Sequence, residues 1–192
     1  RDPYTNEIGK TLVFCVSQKH ALKITTILNE LAEKYFPNKF QSDFAIQVTS
    51  NVTNPDPQQM TIDFKNNNLR GNSPINELYK TSKARVCVTV GMMTTGYDCK
   101  DLLNICLFRP VFSPTEFIQM KGRGTRIFDF KECWKDKNQI PKTINSIKSS
   151  FKLFDYFKNY QYFEEEFDYD EVLKLPAEGT DGNGGTKTKV DE

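Results

Sequence analysis

The sequence predicts a three-layer α/β/α domain built on a mostly parallel sheet, and three observations predict it. Short apolar, β-branched runs alternate with segments of helical periodicity. The helical segments open on capping residues, whereas the apolar runs close on polar, hydroxyl-rich turns. Two of the later runs are apolar on both faces, as strands covered by helices on each side must be.

TLVFCV (Thr11 to Val16) is the first strand. Ser17 then offers a cap for a helix whose apolar positions Ala21, Ile24, Leu28, Leu31 and Tyr35 keep helical spacing. FAIQVT (Phe44 to Thr49) is the second strand. Asp56 before Pro57 reads as an N-cap and first helical position, giving a helix over Pro57 to Lys65 that ends in Asn66, Asn67 and Asn68. A further short helix is expected over Pro74 to Thr81. RVCVTV (Arg85 to Val90) and NICLFR (Asn104 to Arg109) are the doubly apolar strands, and Ser113, Pro114 and Glu116 form a capping box that starts the next helix. KLFDYF (Lys152 to Phe157) is the last strand. Right-handed crossovers wind such a pattern in two directions, and ligands then sit beyond the carboxyl ends of the strands.

At 192 residues the chain holds one sizeable domain and an appendage. Residues 1–156 form the domain. Residues 157–176 mix aromatics with acids and read as a final helix or the start of a following helical domain, and the Gly-rich, polar residues 177–192 read as a flexible linker or disordered tail. There is no apolar run of about 18 residues and no apolar signal-peptide core, so the expected location is cytoplasmic, with no membrane partner. The five cysteines lack a CxxC pair and read as small core residues, not as disulfides or metal ligands. The net charge of +1 hides an asymmetry: residues 1–155 carry 22 Lys and Arg against 15 Asp and Glu, and residues 156–192 carry 4 against 10. A basic body permits a nucleic-acid partner without demanding one.

The strand exits carry the candidate chemistry. Ser17 follows the first strand, Ser50 the second, and GMMTTGYDC (Gly91 to Cys99) the third. In that last loop Thr94, Thr95 and Gly96 supply hydroxyls and bare backbone, and Asp98 a carboxylate; phosphate oxygens and sugar hydroxyls take such groups, though an ordinary turn uses the same residues. Downstream, QMKGRGTR (Gln119 to Arg126) continues a helix. At helical spacing Gln119, Arg123 and Arg126 share one face, and Gly122 and Gly124 leave backbone open to a close approach. Two planar guanidinium groups there suit a phosphate, the alternative being a solvated, charged helix end.

In this order the segments resemble the second RecA-like domain of superfamily two helicases and translocases. TLVFCVSQKHA is similar to that family's motif IV, VTVGMMTTGYD to motif V and QMKGRGTR to motif VI. GKTLVFC, TTGYD, RPVFSPTEFIQMKGRGTR and KLFDYF resemble in particular the motor subunit of type I restriction enzymes, over Gly9 to Tyr156. The resemblance implies that Arg126 is an arginine finger and that Arg123 and Gln119 serve the same γ-phosphate of ATP. It also implies that Gly96 and Asp98 meet the nucleotide, and that Ser17, Ser50, Thr94 and Thr95 hold a DNA backbone. ATP and Mg²⁺ would be bound mainly by an upstream RecA-like domain, itself preceded by a nuclease domain. Specificity and methylation subunits would be further partners, and ATP-dependent translocation and cleavage of double-stranded DNA the activity. Gly9-Lys10-Thr11 imitates the end of a phosphate-binding P-loop, but the first glycine of that motif would fall on Tyr4 and the tripeptide runs into a strand instead of a helix. This chain alone is therefore expected to be inactive. Two alternatives stand beside it: another superfamily two motor, such as an RNA helicase or type III restriction subunit, and a non-catalytic scaffold.

Overall fold

A computed structural model describes residues 1–50, 56–73, 75–94, 97–142 and 144–167. The strands are β1 (Thr11–Cys15), β2 (Ala45–Gln47), β3 (Val86–Thr89), β4 (Asn104–Phe108), β5 (Phe128–Asp129), β6 (Ile147–Lys148) and β7 (Lys152–Asp155). Five of them form a parallel sheet in the order β2-β3-β1-β4-β7, while β5 and β6 make a separate antiparallel pair. β1 is central, with Leu12 opposite Cys87 on one side and Ile105 on the other, and it is buried from end to end. Such burial on both faces is why its sequence is continuously apolar instead of alternating.

Helix α1 (Gln18–Tyr35) covers one face of the sheet, while α2 (Pro57–Lys65) and α3 (Pro114–Gly122) cover the other. Ala21 of α1 is fully buried in a cluster with Val13, Cys15, Val86 and Val88. On the opposite face, Phe64 and Phe117 are fully buried with Leu12, Phe14, Ile105 and Leu107, each such side chain contributing roughly 1.5–3 kcal/mol. The chain after β7 returns to this core through Asn159–Gln161 and a single π turn over Tyr162–Glu166, and Phe163 stacks on Phe117 with ring centroids 5.0 Å apart. These layers are the architecture that the alternating pattern predicts.

The caps hold the helix starts where the sequence places them. Ser17 Oγ accepts from His20 N–H at 3.2 Å, Asp56 Oδ1 from Gln58 N–H at 3.1 Å, and Ser113 Oγ from Glu116 N–H at 3.4 Å. Glu116 does not complete a reciprocal capping box; its carboxylate pairs with Arg109 at 3.2 Å. Past α2 the chain turns through Asn67 at φ 59°, a left-handed conformation that asparagine tolerates.

Three expectations require correction. Residues 75–81 contain no helix: Asn76 Oδ1 accepts from Leu78 N–H at 2.9 Å, closing a local turn, and Tyr79 bridges to Trp134. Helix α1 does not bury its last apolar positions, since Leu31 is 42% and Tyr35 66% exposed. They lie with Phe108, Phe154 and Tyr156 along a groove over the β4 and β7 side of the sheet. Helix α3 ends at Gly122, so Arg126 stands outside the helix and not on a shared helical face with Gln119 and Arg123. Pro74 lies outside the described residues, as do residues 168–192 with the expected linker. No helix among the described residues is long and apolar enough to cross a membrane.

Lys10, the P-loop imitator, is a core residue. It is 2% exposed, with Nζ 2.8 Å from Asp101 Oδ2 and donating to Phe64 O at 2.7 Å. Asn67 Nδ2 donates to the same carboxylate at 2.7 Å. Its ammonium is committed to this buried pair, as the strand that follows Gly9 requires.

Candidate functional site

Because the five large-sheet strands are parallel, their carboxyl ends share one edge. The order β2-β3-β1 makes the exits of those three strands neighbours. Ser50 leaves β2, Gly91 to Thr94 leave β3, and Ser17 leaves β1, so sequence-distant hydroxyl residues come to adjacent strand ends. Ser17 and Ser50 are exposed there. Ser17 also caps α1, whose first turn presents backbone N–H groups at the same place. Thr94 is nearly buried, and its hydroxyl donates to Gly91 O at 2.9 Å within the turn. Thr95 and Gly96 lie outside the described residues. Met93 is fully buried beneath this loop, as a gap-filling methionine should be.

Arg123, just past α3, grips the same loop. Its Nη2 and Nε donate to Thr94 O at 2.9 and 3.2 Å, and Nη1 donates to Tyr97 O. These contacts tie the end of α3 to the β3 exit, and they leave two of the five guanidinium N–H groups for other acceptors. Gln119 lies half-buried on α3, one turn before Arg123. Arg126 is placed differently. Its side chain is 58% exposed and its Nε lies 3.4 Å from Asp98 Oδ1, so the structure brings these two candidates together. An exposed pair of this kind stabilises the fold little and gives way to a stronger partner.

The turn between Gly122 and Ile127 is held by residues the sequence did not single out. Gly124 is buried, and a Cβ there would overlap the Phe151 ring, so this glycine accommodates the chain's own side chain and not a ligand. Among the described residues nothing lies within 4 Å of a Cβ built at Gly122, which stays open as expected. Lys148, on β6 and 4% exposed, donates from Nζ to Gly124 O at 2.7 Å, to Arg126 O at 2.8 Å and to Lys100 O at 3.0 Å. Burial pulls its ammonium down to about 8, against the opposing influence of Asp101 and Cys99. Nothing in the lone lysine of NSIKSS signals this role.

Taken by itself, the arrangement places hydrogen-bond donors and an acceptor side by side on the surface. It offers an exposed guanidinium for a phosphate and a carboxylate beside it, but the lysine that could have imitated a P-loop is sequestered in the core.

No family model matches the chain. The endonuclease subunit of the EcoKI type I restriction enzyme of Escherichia coli (strain K12) is 30% identical over 155 residues, covering 81% of this chain and 11% of that subunit. The ATP-dependent RNA helicase DBP6 of Vanderwaltozyma polyspora is 28% identical over 119 residues, covering 62% of this chain and 16% of the helicase. Among solved structures, a fragment of an HsdR subunit of a type I restriction enzyme from Vibrio vulnificus YJ016 is 29% identical, with a TM-score of 0.55 over 83% of this chain and 25% of that chain. The chain thus spans well under a fifth of the curated relatives it matches. It is homologous to one segment of the endonuclease subunits of type I restriction enzymes.

Proposed function

We propose that this chain is the second RecA-like domain of a type I restriction motor, and that it supplies an arginine to an ATP site whose P-loop and Mg²⁺ ligands lie on another domain. The observation that carries the reading is Arg126: exposed, outside the helix, braced through its backbone and, among the described residues, paired with the Asp98 carboxylate at 3.4 Å. Phosphoryl transfer spreads negative charge over the γ-phosphoryl oxygens, and a guanidinium delivered across a domain cleft stabilises it. Arg123 would add its two remaining donors while it fixes the β3 exit loop, and Gln119 would order the same phosphate or its attacking water. Asp98 and Gly96 would meet the ribose side. Ser17, Ser50 and Thr95 would grip a nucleic-acid backbone without reading its sequence, with Thr94 contributing through the turn that its hydroxyl closes, and cleft opening and closing would then move double-stranded DNA toward cleavage. The nuclease domain and the specificity and methylation subunits complete this reading.

Similarity to an RNA helicase favours a second reading, in which the same arginine serves an RNA-directed motor. ATPase stimulation of the intact polypeptide separates the two. Double-stranded DNA should stimulate turnover more than single-stranded DNA or RNA, and stimulation by RNA alone would replace the first reading with the second. This chain by itself should bind DNA weakly and without sequence preference, with affinity falling as salt rises. Fluorescence anisotropy across a salt series checks this, and a sharp preference for one sequence that salt does not change would contradict it.

A further inference from the structure

We propose that Lys148 is a positioning residue for Arg126, its ammonium fixing the turn that presents the arginine. The proposal rests on the reading of Arg126 as the phosphate-directed arginine. Its support is geometric. The three N–H groups of an ammonium match the three carbonyls around it, those of Lys100, Gly124 and Arg126. Two of the carbonyls belong to the turn after α3, where backbone carbonyls outside regular structure need donors when buried. The third belongs to Lys100, two residues beyond Asp98, so one cation fixes the backbone near both members of the Arg126–Asp98 pair.

The rest of the local structure serves the same grip. Phe128, two residues after Arg126, pairs with Lys148 in the β5–β6 ladder, and Phe130 N–H donates to Ser146 O at 2.9 Å. The Phe151 ring lies against Gly124 from the same 146–151 segment. The Arg126 backbone is therefore defined from two directions while its side chain stays 58% exposed. A side chain whose only task was to fill space would not need a charge at 4% exposure, because methionine has nearly the same length and no desolvation cost. The burial that pulls the ammonium toward neutrality is tolerated because the carbonyls require a donor.

The test is a double-mutant cycle in the intact motor polypeptide, with nucleic-acid-stimulated ATP hydrolysis as the readout. Lys148→Met should lower kcat by roughly 10- to 100-fold, the scale of a misplaced catalytic group. KM for ATP should change by no more than about threefold, since the ground state is held mainly elsewhere. In an Arg126→Ala background the same Lys148→Met change should cost almost nothing further, because residues acting through one another are non-additive. A merely structural lysine would lower turnover by the same factor in both backgrounds, and that result overturns the proposal. So does unchanged turnover of Lys148→Met while Arg126→Ala is inactive. Near-normal turnover of Arg126→Ala alone overturns the arginine reading itself, a distinguishable outcome. If Lys148→Met does not fold, Lys148→Gln, which keeps two donors, carries the same comparison.

Discussion

Arg126→Ala in the intact motor is expected to lower ATP turnover by roughly 10³-fold or more, the scale at which such an arginine acts in phosphoryl transfer. ATP affinity should change far less, because the guanidinium meets charge that develops only in the transition state. Arg126→Lys should not restore turnover, since lysine offers a point charge without the planar fork. The structure separates Arg123 from this behaviour. Its guanidinium already serves the carbonyls of Thr94 and Tyr97, so Arg123→Ala should also lower the melting temperature, as unsatisfied carbonyls cost roughly 1–3 kcal/mol. Arg126 pairs with Asp98 through a side chain that is largely exposed, and its alanine variant should melt close to the wild type. Steady-state turnover measured beside thermal unfolding distinguishes the two arginines.

The largest stability effect is expected at the buried pair. Asp101→Ala strands the Lys10 ammonium in the core and should cost roughly 3–5 kcal/mol, a large part of a typical domain stability of about 5–15 kcal/mol. Urea unfolding measures it, and a loss under about 1 kcal/mol would contradict the assignment. Replacing both partners, Lys10→Met with Asp101→Leu, should be far milder than either single change. The pH dependence has a defined sign. Burial alone would raise the Asp101 carboxyl, but Lys10 and the hydrogen bonds from Lys10, Asn67 and Cys99 hold it below its usual value. Its contribution is therefore complete above the unfolded pKa of about 3.9 and disappears as the pH falls through the lower folded value. An acid titration of the wild type should show this loss, and the double apolar variant should not.

The strands and helix starts were legible because their causes are local. β1 declares itself through a continuous apolar run, and Ser17, Asp56 and Ser113 each cap a helix using bonds within three residues. The misread segment, 75–81, is decided by a distant partner: Tyr79 bridges to Trp134 and packs beside Tyr4. Leu31 and Tyr35 have the spacing of core residues, but burial also needs a covering neighbour, and none lies over that part of the sheet among the described residues. At the site, the sequence brought out Arg126 and Asp98 separately, and the fold pairs them. It gave no hint that Arg123 would serve the backbone of Thr94 and Tyr97, or that a lysine 22 residues beyond Arg126 would hold its carbonyl. Such links depend on how β5, β6 and the β3 exit meet, and no local pattern encodes that.

A domain that holds only one side of an ATP site should neither bind the nucleotide tightly nor turn it over by itself. Isothermal calorimetry of the 192-residue chain with ATP and Mg²⁺, coupled to a phosphate-release assay, tests this directly. Lys10 is locked in the core, so no tight binding and no turnover are expected of this chain alone. Micromolar binding accompanied by hydrolysis would contradict that expectation.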